Sequence, residues 1–269
     1  MEFSVNHIDD EVTKLSQKDT AFIKYPGSIC DIDTLKNLLK LDFKILLHGI
    51  APSSGSLLDP TLLINFEEFS KIIKQTNQRW LSFHFDYRTS YNQPDYIPTL
   101  ESNLKIIRNK FPNTEIIIEN LPPLGDIELW STDSKLVNTI ANKYNLKLLL
   151  DTAHAIVAAD RFGISYEEYI SNLDLDKVVE IHFSGTAYKN GILTDSHTAG
   201  SDKEFELLEY TIKKCPNLRM VTFEYIPKIK HTNLATVGGV TGEFTTEQLY
   251  AEQQEQLDKI KAICKKLNR

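Results

Sequence analysis

Short apolar segments recur along the 269-residue chain, and segments with helical patterning separate them. The clearest is Leu146–His154, in which Leu-Lys-Leu-Leu-Leu ends in Asp151 and His154 follows three residues later. A mostly apolar run without polar alternation is typical of a strand buried on both faces, as in a parallel sheet. Asp151 is therefore predicted to end this strand. His154 is predicted to lie in the next turn, so that both side chains can face one point above the strand end.

The same pattern predicts eight strands, with helices between most of them. The strands are Glu2–Asn6, Thr20–Tyr25, Asp42–His48, Arg79–Phe85, Glu115–Glu119, Leu146–Asp151, Lys177–Phe183 and Arg219–Tyr225. A long loop is predicted over Ser184–Ser201, and a closing helix over Thr245–Lys266. This alternation predicts one (β/α)8 TIM barrel domain of the α/β class over residues 1–269. The alternative is an open doubly wound sheet, but no Gly-rich phosphate-binding motif follows any predicted strand.

Composition excludes several classes of protein. The formal net charge is −7 at pH 7 and the chain has no basic block, which disfavours nucleic acid as a partner. Cys30, Cys215 and Cys264 are far apart and form no CxxC motif, so we expect a reducing compartment and no disulfide framework. No segment approaches the roughly 18 apolar residues of a membrane span, and the N-terminus has no signal-peptide pattern. We therefore expect a soluble, cytoplasmic protein without membrane contact.

Imidazoles and carboxylates lie at or beyond the ends of six successive predicted strands. They are His48, His84, Glu119, Asp151, His154, His182, Asp195, His197 and Glu224. In a barrel of this kind the C-terminal strand ends meet at one mouth, where active sites lie. Each group alone has an ordinary explanation, such as a helix cap or a hydrogen-bonded rim residue. Four carboxylates at one mouth would repel each other unless cations neutralised them, so the nine groups together predict a metal site.

The ligand types limit the choice of metal. Histidine and carboxylate ligands without thiolate suit Zn, Fe or Mn. Nine ligands exceed what one ion can bind while leaving room for a substrate, so two or three ions are predicted, with Glu119 as a bridge. Asn120 and Asp86 are candidates for orienting the ligands, and Asp86 is also a candidate catalytic residue. Residues 227–242 are a candidate lid.

The order of these motifs along the chain resembles the order found in the multinuclear non-heme iron-dependent oxidative enzymes (MNIO). The motifs are His48-Gly-Ile, His84, Glu119-Asn, Asp151-Thr-Ala-His154, Ile181-His182-Phe-Ser-Gly, Asp195-Ser-His197 and Glu224-Tyr. They also resemble the trinuclear zinc endonuclease IV type, and both belong to the xylose-isomerase-like barrel superfamily. The loop that begins His48-Gly-Ile-Ala-Pro is similar to the first-ligand loop of the oxidative family. His154 stands where many MNIO members have Asn, so the number of ions stays open.

The MNIO resemblance implies an O2-dependent oxidase that modifies a residue, typically cysteine, of a ribosomally made precursor peptide. It further implies iron as the metal and a partner recognition protein. His48, His84 and Glu119 would hold one ion. Asp151, His182 and Glu224 would hold a central ion. His154, Asp195 and His197 would hold a third, with Asp151 and His154 also candidate catalytic residues.

Two alternatives stay open at this point. One is an endonuclease IV-like zinc phosphodiesterase that acts on abasic DNA. The other is a metal-dependent sugar isomerase or epimerase, which needs only a mononuclear site of the Glu119, Asp151 and Glu224 kind.

Overall fold

A computed structural model describes residues 1–6, 10–26, 32–40, 44–50, 55–59, 66–85, 96–123, 132–226 and 245–269. In this part of the chain the strands are β1 (Glu2–Asn6), β2 (Phe22–Pro26), β3 (Ile45–His48), β4 (Trp80–His84), β5 (Glu115–Glu119), β6 (Lys147–Asp151), β7 (Val178–Phe183), β8 (Gly185–Lys189), β9 (Ile192–Thr198) and β10 (Met220–Phe223). The helices are α1 (Asp10–Ser16), α2 (Ile32–Lys40), α3 (Phe66–Thr76), α4 (Tyr96–Lys110), α5 (Ser134–Lys143), α6 (Thr152–Phe162), α7 (Tyr166–Ser171), α8 (Asp202–Lys214) and α9 (Thr246–Lys266).

Eight parallel strands close into a barrel, in the order β1–β10–β7–β6–β5–β4–β3–β2. Parallel neighbours need a crossover connection, and the helices between the strands provide it. The predicted (β/α)8 TIM barrel is therefore confirmed. The strand register also aligns functional side chains, because His84 pairs with Glu119 and Asp151 pairs with His182.

The interior of the barrel is built in layers. A small apolar cluster fills it below the mouth, separate from the larger core between strands and helices. The buried members of this cluster are Leu46, Trp80, Ile117, Leu149, Val179 and Met220. Side chains two residues apart on a strand share a face. His48, Glu119 and Asp151 therefore lie directly above apolar members of their own strands, at the C-terminal end of the barrel.

One connection differs from its prediction. Residues 184–201 are not a plain loop, because β8 and β9 pair there as an antiparallel hairpin. The turn residues Asn190 and Gly191 both have positive φ, at 53° and 78°. Such angles are those of a tight hairpin turn, for which Asn-Gly is the preferred sequence. The hairpin is functionally relevant since β9 carries Asp195 and His197.

Helix α6 starts immediately after β6, where the sequence analysis predicts only that His154 lies in a turn. Most of its residues are buried, so it lacks the polar face that reveals an amphipathic helix. It begins because the Asp151 side chain accepts a hydrogen bond from the His154 backbone N–H, as an N-cap. It ends at Gly163, which adopts the left-handed conformation with φ of 66°.

Two cysteines can be placed, and both are buried and free: Cys215 and Cys264. Cys30 lies outside the described residues. Among the helices that the structure describes, none combines the length and the apolar character needed to cross a membrane.

We expect Phe83→Ala to destabilise the fold by about 3–5 kcal/mol, because a fully buried ring of β4 would be replaced by a cavity in the main core. Thermal or urea unfolding followed by circular dichroism measures this change. Tyr188→Ala is the matched control, since Tyr188 is 69% exposed at the hairpin, and it should shift stability by less than about 0.5 kcal/mol. Similar losses in both variants would contradict the assignment of Phe83 to the core.

Candidate metal centre

Two groups of potential metal ligands meet at the mouth of the barrel and share one residue. The first consists of His48, His84 and Glu119, and the second of Glu119, Asp151, His182 and Glu224. Within each group the ligand atoms all lie within 4.8 Å of one another. This spacing allows one cation to contact several of them at once. The shared Glu119 lies at the end of β5, between the two groups.

The two oxygens of Glu119 face different histidines. Oε2 lies 3.0 Å from His48 Nε2 and 3.6 Å from His84 Nε2. Oε1 lies 3.3 Å from His154 Nδ1 and 3.6 Å from His182 Nδ1. The residue is 1% exposed, and its Oε2 forms no hydrogen bond with the described residues. A carboxylate with this arrangement can bridge two ions, one at each oxygen.

The first group points two imidazoles at the same place. The Nε2 atoms of His48 and His84 are 3.2 Å apart. On the other side of its ring, His48 Nδ1 lies 2.9 Å from the hydroxyl of Ser82. This contact fixes the ring and leaves Nε2 for a ligand. His84 retains 24% exposure of its side chain, so this group borders the open mouth.

Asp151 has a separate role for each carboxylate oxygen. Oδ1 accepts the hydrogen bond from His154 N, at 2.8 Å, that caps α6. Oδ2 is buried and accepts no hydrogen bond from the residues that the structure places. The side chain of Asn120 bonds the backbone of Asp151 twice, to its O at 3.1 Å and its N at 2.8 Å. The Asn120 side chain thereby holds the backbone of Asp151 and so orients this potential ligand.

A third set of side chains meets around Asp195. Its Oδ2 lies 3.3 Å from His154 Nε2 and 2.9 Å from His197 Nε2. Its Oδ1 accepts hydrogen bonds from Ser184 Oγ at 3.0 Å and from His197 N at 3.1 Å. His197 has a φ of 47°, a left-handed conformation that costs a non-glycine residue about 1–3 kcal/mol. The hairpin thus holds a strained histidine against the mouth.

His182 faces opposite partners with its two ring nitrogens. Nδ1 lies 2.9 Å from Glu224 Oε2 and 3.9 Å from Asp151 Oδ2. Nε2 lies 3.3 Å from Oε1 of Glu180, which pairs with Lys24 below the mouth. Sequence reasoning missed Glu180 and Lys24. A signal was present, because each is a lone charge inside an apolar strand and Glu180 shares a face with His182.

The electrostatics of the site show an excess of buried negative charge. Burial raises the pKa of Asp151 to about 7, with the His154 charge opposing that shift and the Asp195 charge adding to it. Burial would lower the pKa of His182, but Glu224 and Glu119 raise it well above its usual value. The site without metal therefore retains protons on His154, His182 and His197, whereas burial lowers the pKa of His48. A bound cation would supply the same compensation.

The residues present fit a metal centre in their chemistry as well as their position. Five buried atoms of the predicted ligands lack a hydrogen bond within the described chain: Glu119 Oε2, Asp151 Oδ2, both ring nitrogens of His182, and His197 Nδ1. Buried polar atoms in proteins are normally paired, and a cation is one such partner. All nine predicted ligands are described and lie in this connected cluster. Asp86 and the candidate lid at 227–242 lie outside the described residues.

Solved structures with the same architecture are barrels of the xylose-isomerase-like kind. A D-tagatose 3-epimerase-like protein matches with a TM-score of 0.59 and 14% identity, covering 99% of this chain and 100% of that chain. Endonuclease IV from Thermus thermophilus matches with a TM-score of 0.57 and 10% identity, covering 97% of this chain and 100% of that chain. At such low identity these likenesses establish the fold alone.

Sequence relatives carry the name UPF0276 protein. The relative from Acaryochloris marina is 26% identical over 172 residues, which span 59% of this chain and 61% of that protein. The relative from Psychromonas ingrahamii is 26% identical over 205 residues, spanning 68% of this chain and 70% of that protein. The chain thus spans about three fifths of the first of these relatives.

A family model provides a more specific result. The model described as "RiPP precursor modification enzyme MbnB/TglH/ChrH" matches residues 30–232, most of the chain and all nine predicted ligands. RiPPs are ribosomally made peptides that are modified after translation. The predicted resemblance to the MNIO enzymes is confirmed, and the chain belongs to the MbnB/TglH/ChrH family of RiPP precursor modification enzymes.

Proposed function

We propose that the chain is a multinuclear non-heme iron enzyme that uses O2 to oxidise a cysteine of a ribosomally made precursor peptide. Family membership supports a peptide substrate. The position of Glu119 supports a multinuclear centre, because this residue belongs to both groups of potential ligands. A partner recognition protein and a cytoplasmic location belong to the same proposal.

Each ion is assigned to one part of the cluster. We assign a first ion to His48, His84 and Glu119. A second is assigned to Asp151, His182 and Glu224, with Glu119 as the bridge, and a third to His154, Asp195 and His197. Iron bound there would supply the one-electron chemistry that activates O2. The described residues around it contribute fixed donor atoms and a buried, charge-compensated surround.

We expect the cysteine of the substrate, and not a cysteine of the protein, to supply a sulfur ligand to the metal. Cys215 and Cys264 are buried in the main core, and neither belongs to a ligand group of the described residues. Burial also raises the pKa of Cys215 to about 12 and that of Cys264 to about 11, which disfavours their thiolates. His84 and Glu224 are the more exposed ligands, with side chains 24% and 16% accessible. A substrate side chain would approach on their side of the cluster.

The contacts disfavour a mononuclear sugar isomerase. Such an enzyme would need Glu119, Asp151 and Glu224, but would leave four histidines without a role. Those histidines, His48, His84, His154 and His197, each lie within 3.6 Å of a carboxylate oxygen of the cluster. The net charge of −7 also disfavours a nuclease, since it repels the DNA backbone.

Oxygen uptake tests the proposed function. Protein purified without oxygen should contain iron, and it should consume O2 only when the precursor peptide encoded beside its gene is added. Mass spectrometry of the peptide should show a change at cysteine, and a Cys→Ala peptide is the matched control. Zinc-only protein without O2 uptake, or cleavage of a duplex with an abasic site, would overturn this function.

Glu119→Gln should remove about one or two ions per chain, because the bridging charge between the two ligand groups is lost. Metal analysis by mass spectrometry measures the ions retained, and circular dichroism checks the fold. Glu115→Gln is the control on the same strand, since Glu115 pairs with Arg219 away from the cluster. A full complement of ions in Glu119→Gln would contradict the bridge.

Metal affinity should rise with pH between about pH 6 and about pH 8, by about tenfold per unit for each proton displaced. Burial would lower the pKa of His197, but Asp195 and Glu224 raise it to about 9. Below that pKa the ring is protonated, and an incoming metal must displace the proton. Zn2+ titration calorimetry in buffers of different ionisation enthalpy counts the protons released. An affinity independent of pH would contradict these raised pKa values.

A further inference from the structure

A buried ion pair lies beneath the metal centre and has no part in either ligand group. Lys24 on β2 is 2% exposed, and Glu180 on β7 is fully buried. Lys24 Nζ lies 2.5 Å from Glu180 Oε1. Thr222 on β10 donates its hydroxyl to the same oxygen at 2.9 Å. The pair therefore connects three strands across the interior of the barrel.

Stability alone does not account for such a pair. Desolvation offsets much of the attraction between two buried charges, and apolar residues of similar volume are often at least as stabilising. Apolar residues flank the pair, because in the strand register Lys24 pairs with Leu46, and Glu180 pairs with Leu149 and Met220, all members of the apolar cluster. A further apolar pair would continue that cluster. The presence of two charges at this position therefore points to a task at the layer above.

That task is indicated by His182. Its Nδ1 lies 2.9 Å from Glu224 Oε2, on the side of the ligands. Its Nε2 lies 3.3 Å from Glu180 Oε1, on the opposite side of the ring, at ion-pair distance although neither ring nitrogen forms a hydrogen bond with the described residues. A neutral imidazole carries its proton on one nitrogen and offers a lone pair on the other. A carboxylate beside Nε2 favours the proton there, which frees Nδ1 to bind a metal.

We propose that Glu180 is a positioning residue, held by Lys24 and Thr222, whose carboxylate beside His182 Nε2 keeps the ring proton on that nitrogen and so presents Nδ1 to the metal centre. Lys24 compensates the charge of Glu180, so this fifth carboxylate adds no net negative charge below the cluster. The proposal rests on the metal site of the proposed function but is independent of its oxidative chemistry.

Zn2+ affinity measured by competition with a chelator tests the proposal on the full-length protein. Glu180→Gln should weaken the binding of Zn2+ by about 10- to 100-fold, the range typical of partners that orient a metal-binding histidine. Glu115→Gln is the matched control, because Glu115 lies on a barrel strand at an exposed ion pair with Arg219. The control should bind Zn2+ as the native chain does.

The double variant Lys24→Met/Glu180→Met separates positioning from stability. It removes both charges, so no unpaired buried charge remains and the chain should fold even if Glu180→Gln does not. Zn2+ affinity should stay reduced in this variant, since no acceptor remains for His182 Nε2. Recovery of native affinity would show that the pair is only structural and would overturn the proposal.

A spectroscopic signal reports on the ring directly. In the Zn2+-loaded native chain, nitrogen-15 NMR of the histidine rings should show His182 protonated on Nε2 and metal-bound through Nδ1. The double variant should lose or shift this Nε2–H signal, whereas the ring signals of His48, whose Nδ1 contacts Ser82, should not change. Native Zn2+ affinity in both variants would refute the role of Glu180 but leave the metal site intact. No Zn2+ binding by the native chain would refute the metal site as well.

Discussion

Mutual repulsion among buried carboxylates is the constraint that the other residues at the barrel mouth must compensate. Parallel strands lie about 4.8 Å apart, so acids at neighbouring strand ends are forced within reach of one another. Glu119 and Asp151 are brought together in this way, Glu224 lies on the other side of His182, and each of the three has a histidine within 4 Å. The imidazoles moderate the repulsion only while they hold protons. Cations neutralise it without protons, and the closed barrel prevents the strand ends from moving apart.

The ligands share a rule of construction. In four of them one polar atom is fixed by the protein and another is left facing the cluster. His48 is fixed by Ser82, His154 by the carbonyl of Asn120, and Asp195 by Ser184. Asp151 uses Oδ1 to cap α6 and leaves Oδ2 facing the cluster. A side chain held at one atom keeps its other atom in place, so the site is preorganised for the proposed ions and little ordering would be required when they bind.

Sequence reasoning located the ligands because their positions follow from strand geometry. It missed the elements and contacts that have no regular hydrophobic pattern in the sequence. The short apolar runs end where the barrel strands end, and a strand end fixes the position of a residue such as Glu119. Helix α6 escaped prediction because burial on most sides removes its polar face. The β8–β9 hairpin escaped although Asn190-Gly191 is a strong turn signal, since its exposed residues form no apolar run. The pairing of Glu180 with Lys24 joins strands distant in sequence, and no local pattern contains it.

The layers inside the barrel explain how one fold supports such a demanding site. Barrels with this architecture differ in chemistry, so the function has to come from the residues at the mouth rather than from the fold. Those residues need a base that is rigid and electrically neutral. The apolar cluster around Trp80 supplies rigidity, and the Lys24–Glu180 pair, in register with members of that cluster, adds polar contacts with its two charges balanced. The negative charge that remains lies at the mouth, on the side from which the proposed metal ions would enter.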